Sequence, residues 1–162
     1  MNPLLTTKAE TFRSGTDNLE FYHNRLIKLT NGVLLFCSGG EAEITIDLEK
    51  HHIIPNTNIM LLPGSILSLR SASPDFQIHY FAYSGEMMKV ACFRLDPAFM
   101  HFMKENSCYT HTRLETIRPI LRMIEASAAI YADKENQFRE SIPLTFLVIR
   151  IPSYSIVKSS PI

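Results

Sequence analysis

Two adjacent histidines, His51 and His52, stand ahead of a Pro63-Gly64 turn in the stretch HHIIPNTNIMLLPGSIL (51–67). Imidazole is the commonest protein metal ligand, but an ion needs donors that converge. Neighbouring side chains in an extended strand point to opposite faces. The pair could therefore share an ion only within a turn, where Glu49 is the one acidic residue nearby, and the sequence reads as a solvated turn. Cys108-Tyr-Thr-His111 with His101 offers sulfur and nitrogen, but lacks the Cys-x-x-Cys partner that makes a zinc signal strong. His79, in Gln-Ile-His-Tyr-Phe, shares a strand face with Gln77, Phe81 and Tyr83. That position suits a packed core histidine or a polar group lining a cavity. Ser38-Gly39-Gly40 lacks the following Lys-Ser/Thr of a phosphate cradle and reads as a turn.

The elements that would position these groups fall into two textures. From Leu19 to Tyr83, short runs rich in Val, Ile, Leu, Phe and Tyr are punctuated by Gly, Pro and Asn, the pattern of a sandwich or barrel. Ala42, Ile44, Ile46 and Leu48 alternate with Glu41, Glu43, Thr45 and Asp47, which predicts a half-buried strand. Gly32–Cys37 precedes it through Ser38-Gly39-Gly40, which predicts a hairpin. Further strands are expected over 58–62, 65–70 and 76–83. After Ser84 the pattern turns helical. Asp96-Pro97 marks a helix start, with Phe99, Phe102 and Met103 as its apolar stripe. Thr112-Arg-Leu-Glu115 has the form of a capping box. Behind it Leu114, Ile117, Leu121, Ile124, Ala128 and Tyr131 form a seam stepping by three and four, with Pro119 predicting a kink or a late start. A last helix is expected from Asn136, with Phe138 and Ile142 on its inner face.

Composition bounds the function. The 162 residues carry 16 Lys+Arg and 16 Asp+Glu, so the chain has no basic surplus with which to neutralise phosphates. The N-terminus has no apolar h-region and no run reaches spanning length, which leads to the expectation of a cytoplasmic protein with no membrane partner. Three widely spaced cysteines, Cys37, Cys92 and Cys108, do not suggest a disulfide framework.

The run Gly39-Gly40-Glu41-Ala42-Glu43-Ile44-Thr45-Ile46-Asp47, followed by Asn56 to Pro63-Gly64, resembles the paired strands of a cupin. With Phe93-Arg-Leu-Asp-Pro-Ala-Phe-Met-His-Phe-Met-Lys-Glu-Asn106 and the helices from Thr112 and Asn136, residues 19–142 resemble the N-terminal sensor and dimerisation domain of AraC-type transcriptional regulators. The resemblance implies an α+β, mainly β fold: a cupin-like double-stranded β-helix (jelly-roll barrel) followed by a C-terminal helical segment. It divides the chain into an arm (1–18), a barrel (19–84), a helical dimerisation segment (85–142) and an atypical apolar tail (143–162). Metal-dependent cupins carry a His-x-His pair with a Glu in the first motif and a His beyond the Pro-Gly turn. Here the first pair is absent, and Ile66, Leu67 and Ser68 follow the turn. The histidine pair at 51–52 is thus misplaced for a cupin metal, and no metal or cofactor is expected. The family continues into two helix-turn-helix units, whereas this sequence ends at Ile162. The expectation is a regulator without its DNA-reading half, through truncation, frame change or genuine independence.

The implied function is sensing of a small polar, possibly sugar-like effector within the barrel, in a homodimer that reaches DNA only through the missing half. A pocket of that kind needs aromatic walls and a few hydrogen-bonding groups. The candidates are Phe36 and Tyr83 as walls and His79 and Arg70 as polar contacts, with Tyr22 and Arg13 folding over the mouth. Leu114, Ile117, Leu121, Ile124, Ala128 and Tyr131 are the candidate dimer interface, unless that stripe packs on the barrel. No catalytic group is assigned. The alternatives are a small metal-independent cupin enzyme (isomerase or hydrolase) using His79 as base, and a structural dimerisation fragment that binds nothing. Protein purified without chelator should hold no stoichiometric zinc, iron, manganese or nickel by elemental analysis; a full equivalent of any of them contradicts the metal-free reading.

Overall fold

The computed structural model describes residues 2–7, 10–93 and 97–139. The period-two runs become nine strands among the described residues, and all the pairs between them are antiparallel. One sheet has the order β1 (Phe12–Asp17), β8 (Gln77–Tyr83), β3 (Gly32–Gly39), β6 (Thr57–Leu61), β9 (Cys108–Thr110). The other has the order β2 (Ile27–Lys28), β7 (Ile66–Ala72), β4 (Ala42–Ile46), β5 (Glu49–Ile53). Among the described residues three helices follow β8: α1 (Gly85–Phe93), α2 (Pro97–Glu105) and α3 (Leu114–Ala132). The fold is a jelly-roll barrel with a helical segment, α+β and mainly β.

The chain changes sheet at each corner, which corrects one expected hairpin. β3 pairs with β8 and β6, whereas β4 pairs with β5 and β7, so Ser38-Gly39-Gly40 joins two sheets instead of two paired strands. Gly40 is the pivot. It has φ +65°, and a Cβ there would lie 2.5 Å from the Phe76 backbone. The first strand motif also ends earlier than its alternation implies. Asp47 and Leu48 take φ 50° and 72° as the two-residue turn between β4 and β5, leaving Leu48 71% exposed. Asp47 anchors that turn by accepting the Ile66 N–H at 2.8 Å.

Inside the barrel, Val33, Leu35, Ile44, Ile53, Ile59, Leu61, Leu67, Leu69 and Ile78 make one buried cluster. Leu34, Phe36, Phe81 and Tyr83 belong to the opposite face of β3 and β8, yet they are buried as well. The helical segment covers them. A Cβ on Gly32 would meet Met88 of α1 at 2.4 Å, and Tyr131 of α3 sets its ring edge-on to Phe12 at 5.2 Å.

Within the segment read as an arm (1–18), residues 12–17 form strand β1 of the five-stranded sheet. β9 likewise lies within the segment read as helical and adds a fifth strand. α3 starts after Arg113, which supplies no side-chain cap, so the capping box from Thr112 does not form. It runs through Pro119 to Ala132, without the expected late start. Residues 137–139 form a turn and Phe138 is 68% exposed, not on an inner helix face. Asp96, the expected cap of α2, and Ile142 lie outside the described residues, as does the tail 143–162. Among the described residues no helix is long and apolar enough to cross a membrane.

Gly40→Ala should lower the unfolding free energy by at least about 1–2 kcal/mol, the cost of a left-handed L-residue, with the Phe76 overlap adding to it. Gly39→Ala, whose Cβ would meet only the Asp75 carbonyl at 3.4 Å, should cost much less. Urea unfolding of both variants checks the difference; equal midpoints would contradict the corner assignment.

Candidate functional site

The N-terminal residues close one end of the barrel. Leu4 is fully buried and is part of the interior cluster. Polar contacts fix it there. The Leu4 N–H donates to Asn2 Oδ1 at 3.1 Å, and Asn31 Nδ2 donates to the Leu4 carbonyl at 2.7 Å. The Tyr22 hydroxyl donates to the same Asn2 oxygen. Tyr22 is held by a 3-10 turn at 20–22 that follows Leu19 at φ 60°. Burial pushes its phenol well above the ordinary range. Tyr80 also belongs to this cluster, beside Gly15 of β1; a Cβ on Gly15 would come within 2.8 Å of its hydroxyl. Its phenol is raised by burial as well, with the nearby Arg13 charge acting the other way. Arg13 Nη2 lies 3.3 Å from Glu10. The Thr7 N–H, followed by that same arginine, holds the Glu10 carboxyl below its usual range. Two phenols, the Arg13 guanidinium, the Glu10 and Asp17 carboxylates and an apolar plug therefore meet at this end.

The sequence-predicted residues divide between three places. Tyr22 and Arg13 are at the plugged end. Phe36, His79 and Tyr83 share a face, but it is the outer face of the five-stranded sheet, under the helices and away from the interior. Phe36 lies directly opposite His79 on β8 and Asn58 on β6. Arg70 is exposed, at the bulge where β7 meets β4. The six thus do not assemble one pocket. Of the expected dimer seam, Tyr131 is engaged within its own chain: the Thr11 N–H and hydroxyl both reach its oxygen at 3.3 Å. Leu121 and Ala128 are half-buried, and the side chains of Leu114, Ile117 and Ile124 lie outside the described residues.

The histidine pair lies in edge strand β5 and not in a turn. His52 sits between Glu41 (3.2 Å) and Glu43 (2.5 Å). The other candidate ligands are held apart by different partners. His101, exposed on α2, faces Glu105 at 3.2 Å, and His111 is buried against Asn58. Burial against the core pushes the Cys108 thiol up to about 11. Among the described residues no group of three or more His, Cys, Asp or Glu side chains is placed to hold a metal ion. Asn2, Leu4, Asn31 and Tyr80 are the site residues that strand alternation missed. Leu4-Leu5, an apolar pair in a polar N-terminus, was the available signal.

This architecture defines a cupin-like barrel with a helical segment. No protein-family model and no curated protein matches the sequence. Among solved structures, apo ToxT of Vibrio cholerae, an AraC-type regulator, superimposes with a TM-score of 0.56 at 10% identity, covering 92% of this chain and 56% of ToxT. ToxT with an unsaturated fatty acid bound gives 0.47 at 13% identity, over 91% of this chain and 50% of ToxT. The Schizosaccharomyces pombe Cnp3 cupin domain gives 0.40 at 10% identity, over 58% and 71%. The chain spans about half the length of ToxT and shares the fold of its N-terminal domain.

The raised Tyr22 phenol has a consequence for stability. Its folded pKa lies above the unfolded one, so the stabilisation is fully present below about 10 and is lost as pH rises further. Urea midpoints should therefore fall between about pH 8 and pH 10.5, and fall less in Tyr22→Phe. Identical slopes in the two proteins would contradict a buried, neutral Tyr22.

Proposed function

We propose that this chain is the ligand-sensing and dimerisation module of an AraC-type transcription regulator. In this reading a small molecule enters the barrel where Leu4 now sits, and the arm exchanges with it. The observation that carries the reading is the plug itself: a leucine from the chain's start, fully buried in the barrel core and tied by Asn2 and Asn31. A side chain that fills a barrel from a short separate segment can be exchanged for a ligand without opening any strand pair.

The end of the barrel bears on the effector's class. Apolar walls with Tyr22, Tyr80 and Arg13 at one end suit a molecule with an apolar body and one acidic or polar head. A fully hydroxylated sugar-like effector needs more hydrogen-bonding groups than these, so the amphipathic class is preferred. Dimerisation is assigned to the helical segment, and DNA contact to helix-turn-helix units outside this sequence. His79, the base an enzymatic reading relied on, lies on the sheet face away from the interior.

Decanoate, which has an apolar body and one carboxylate, tests the exchange. Truncating a buried leucine typically costs 2–5 kcal/mol, and each 1.4 kcal/mol of lost competition is about tenfold in affinity. Calorimetric titration of the full chain should show decanoate binding roughly tenfold tighter or better to Leu4→Ala, and markedly weaker to Arg13→Gln. Cooperative unfolding of both variants would confirm that they are folded. Equal affinity in all three proteins would overturn the proposal.

A further inference from the structure

An unpaired strand edge is a template on which another chain can pair. Of the strands that end the two sheets, β2 and β9 are two and three residues long, and α3 packs against β1 through Tyr131. β5 differs from all of these. Among the described residues its five residues, Glu49–Ile53, pair with β4 alone, and Glu49, Lys50 and His52 are exposed.

The Asp47-Leu48 turn decides which backbone groups of β5 are free. Ile46 and Glu49 close that two-residue hairpin as a hydrogen-bonded pair, and such pairs alternate along an antiparallel ladder. Glu49, His51 and Ile53 therefore bond back to β4, while Lys50 and His52 turn their N–H and carbonyl groups outward. A second β5, run antiparallel about a two-fold axis at His51, sets Lys50 opposite the partner's His52, and His52 opposite the partner's Lys50. Every outward N–H and carbonyl of the strand is then paired.

The same register matches the side chains. Leu48 and Ile54 are exposed and flank β5 at equal spacing from His51. The two-fold axis brings Leu48 of each copy toward the partner's Ile54. Charge is matched as well. His52 lies between Glu41 at 3.2 Å and Glu43 at 2.5 Å, so this group is net negative whether or not the imidazole is protonated. Lys50 forms no ion pair among the described residues. Its outward-facing position sets the partner's Lys50 directly beside His52, with both carboxylates within reach of the long side chain. A lysine on an edge strand repels most edges that approach it. This one is neutralised by an edge that carries the Glu41/Glu43 pair, which a second copy of the chain does.

We infer that β5 is a self-association surface on which a second copy of this chain adds its own β5, joining two four-stranded sheets into one. The surface is separate from the helical segment of the proposed dimer, and it requires no ligand in the barrel.

His51→Cys tests the contact and its register together. On the axis the two cysteines form a non-hydrogen-bonded pair with Cα atoms about 4.5 Å apart, which is within disulfide reach. The full chain carrying His51→Cys should give a disulfide-linked dimer on mild oxidation, read by non-reducing electrophoresis against the unsubstituted chain. Glu49→Cys, which the axis sets well away from its own copy, should link at least tenfold more slowly. Adding Lys50→Glu to His51→Cys should slow the link tenfold or more, because it turns the matched charge into repulsion. No link from His51→Cys, an equal link from Glu49→Cys, or no effect of Lys50→Glu would each overturn the inference. A chain that sediments as a dimer yet gives no His51→Cys link associates elsewhere, which overturns this inference and leaves the sensor reading standing.

Discussion

Burial of β3 and β8 on both faces is the constraint on which the rest of the structure depends. Their inner residues, Val33, Leu35, Ile78 and Ala82, fill the barrel, while Leu34, Phe36, Phe81 and Tyr83 face the helices. A sheet covered on one side alone would leave those outer aromatics in water. Each fully buried aromatic or aliphatic side chain contributes roughly 1.5–3 kcal/mol, so the barrel and the helices stabilise one another through this shared sheet. Left-handed Gly40 directs the chain from β3 into the four-stranded sheet, where the Asp47-Leu48 turn reverses it from β4 into β5.

In the proposed reading, that arrangement limits where a ligand could enter. The outer face of the five-stranded sheet lies under α1 and α3, and strand pairs line the walls, so the end held by Asn2, Leu4 and Asn31 can open without breaking the sheet. Leu4 packs in the apolar cluster there, and the remaining ties are polar. Glu10 ties the arm to Arg13 through charge, while Asn31 ties it through a single amide. In the proposed sensor reading, recognition would be concentrated in this one short segment, with the sheet as its frame.

The sequence made the fold legible through Ala42, Ile44 and Ile46, which alternate with the polar Glu43 and Thr45 and face the barrel interior. β8 was harder for a physical reason. Ile78, Tyr80 and Ala82 alternate with His79, Phe81 and Tyr83, and both sets are rich in large apolar or aromatic residues because both faces are covered. Alternation paired His79 with Phe81 and Tyr83 correctly but could not say which set faces inward, so Phe36, His79 and Tyr83 were placed inside. Leu4 was missed because a plug has no period. Neighbouring residues specify a helix or strand, whereas the burial of Leu4 depends on a cavity built by residues far along the chain. The hairpin expected at Ser38-Gly39-Gly40 failed for a similar reason: the glycines permit a turn, and the Phe76 backbone decides its direction.

Native-state hydrogen exchange tests the central claim, that the arm is a gate and not a fixed part of the core. The Leu4 amide, bonded to Asn2 Oδ1, should exchange through a local opening well below the global unfolding free energy and insensitive to low urea. Amides of β3 and β8 should exchange only on global unfolding. A Leu4 amide that exchanges with the same free energy and urea dependence as Leu35 and Tyr80 would mean that the plug never lifts alone, and would contradict the account.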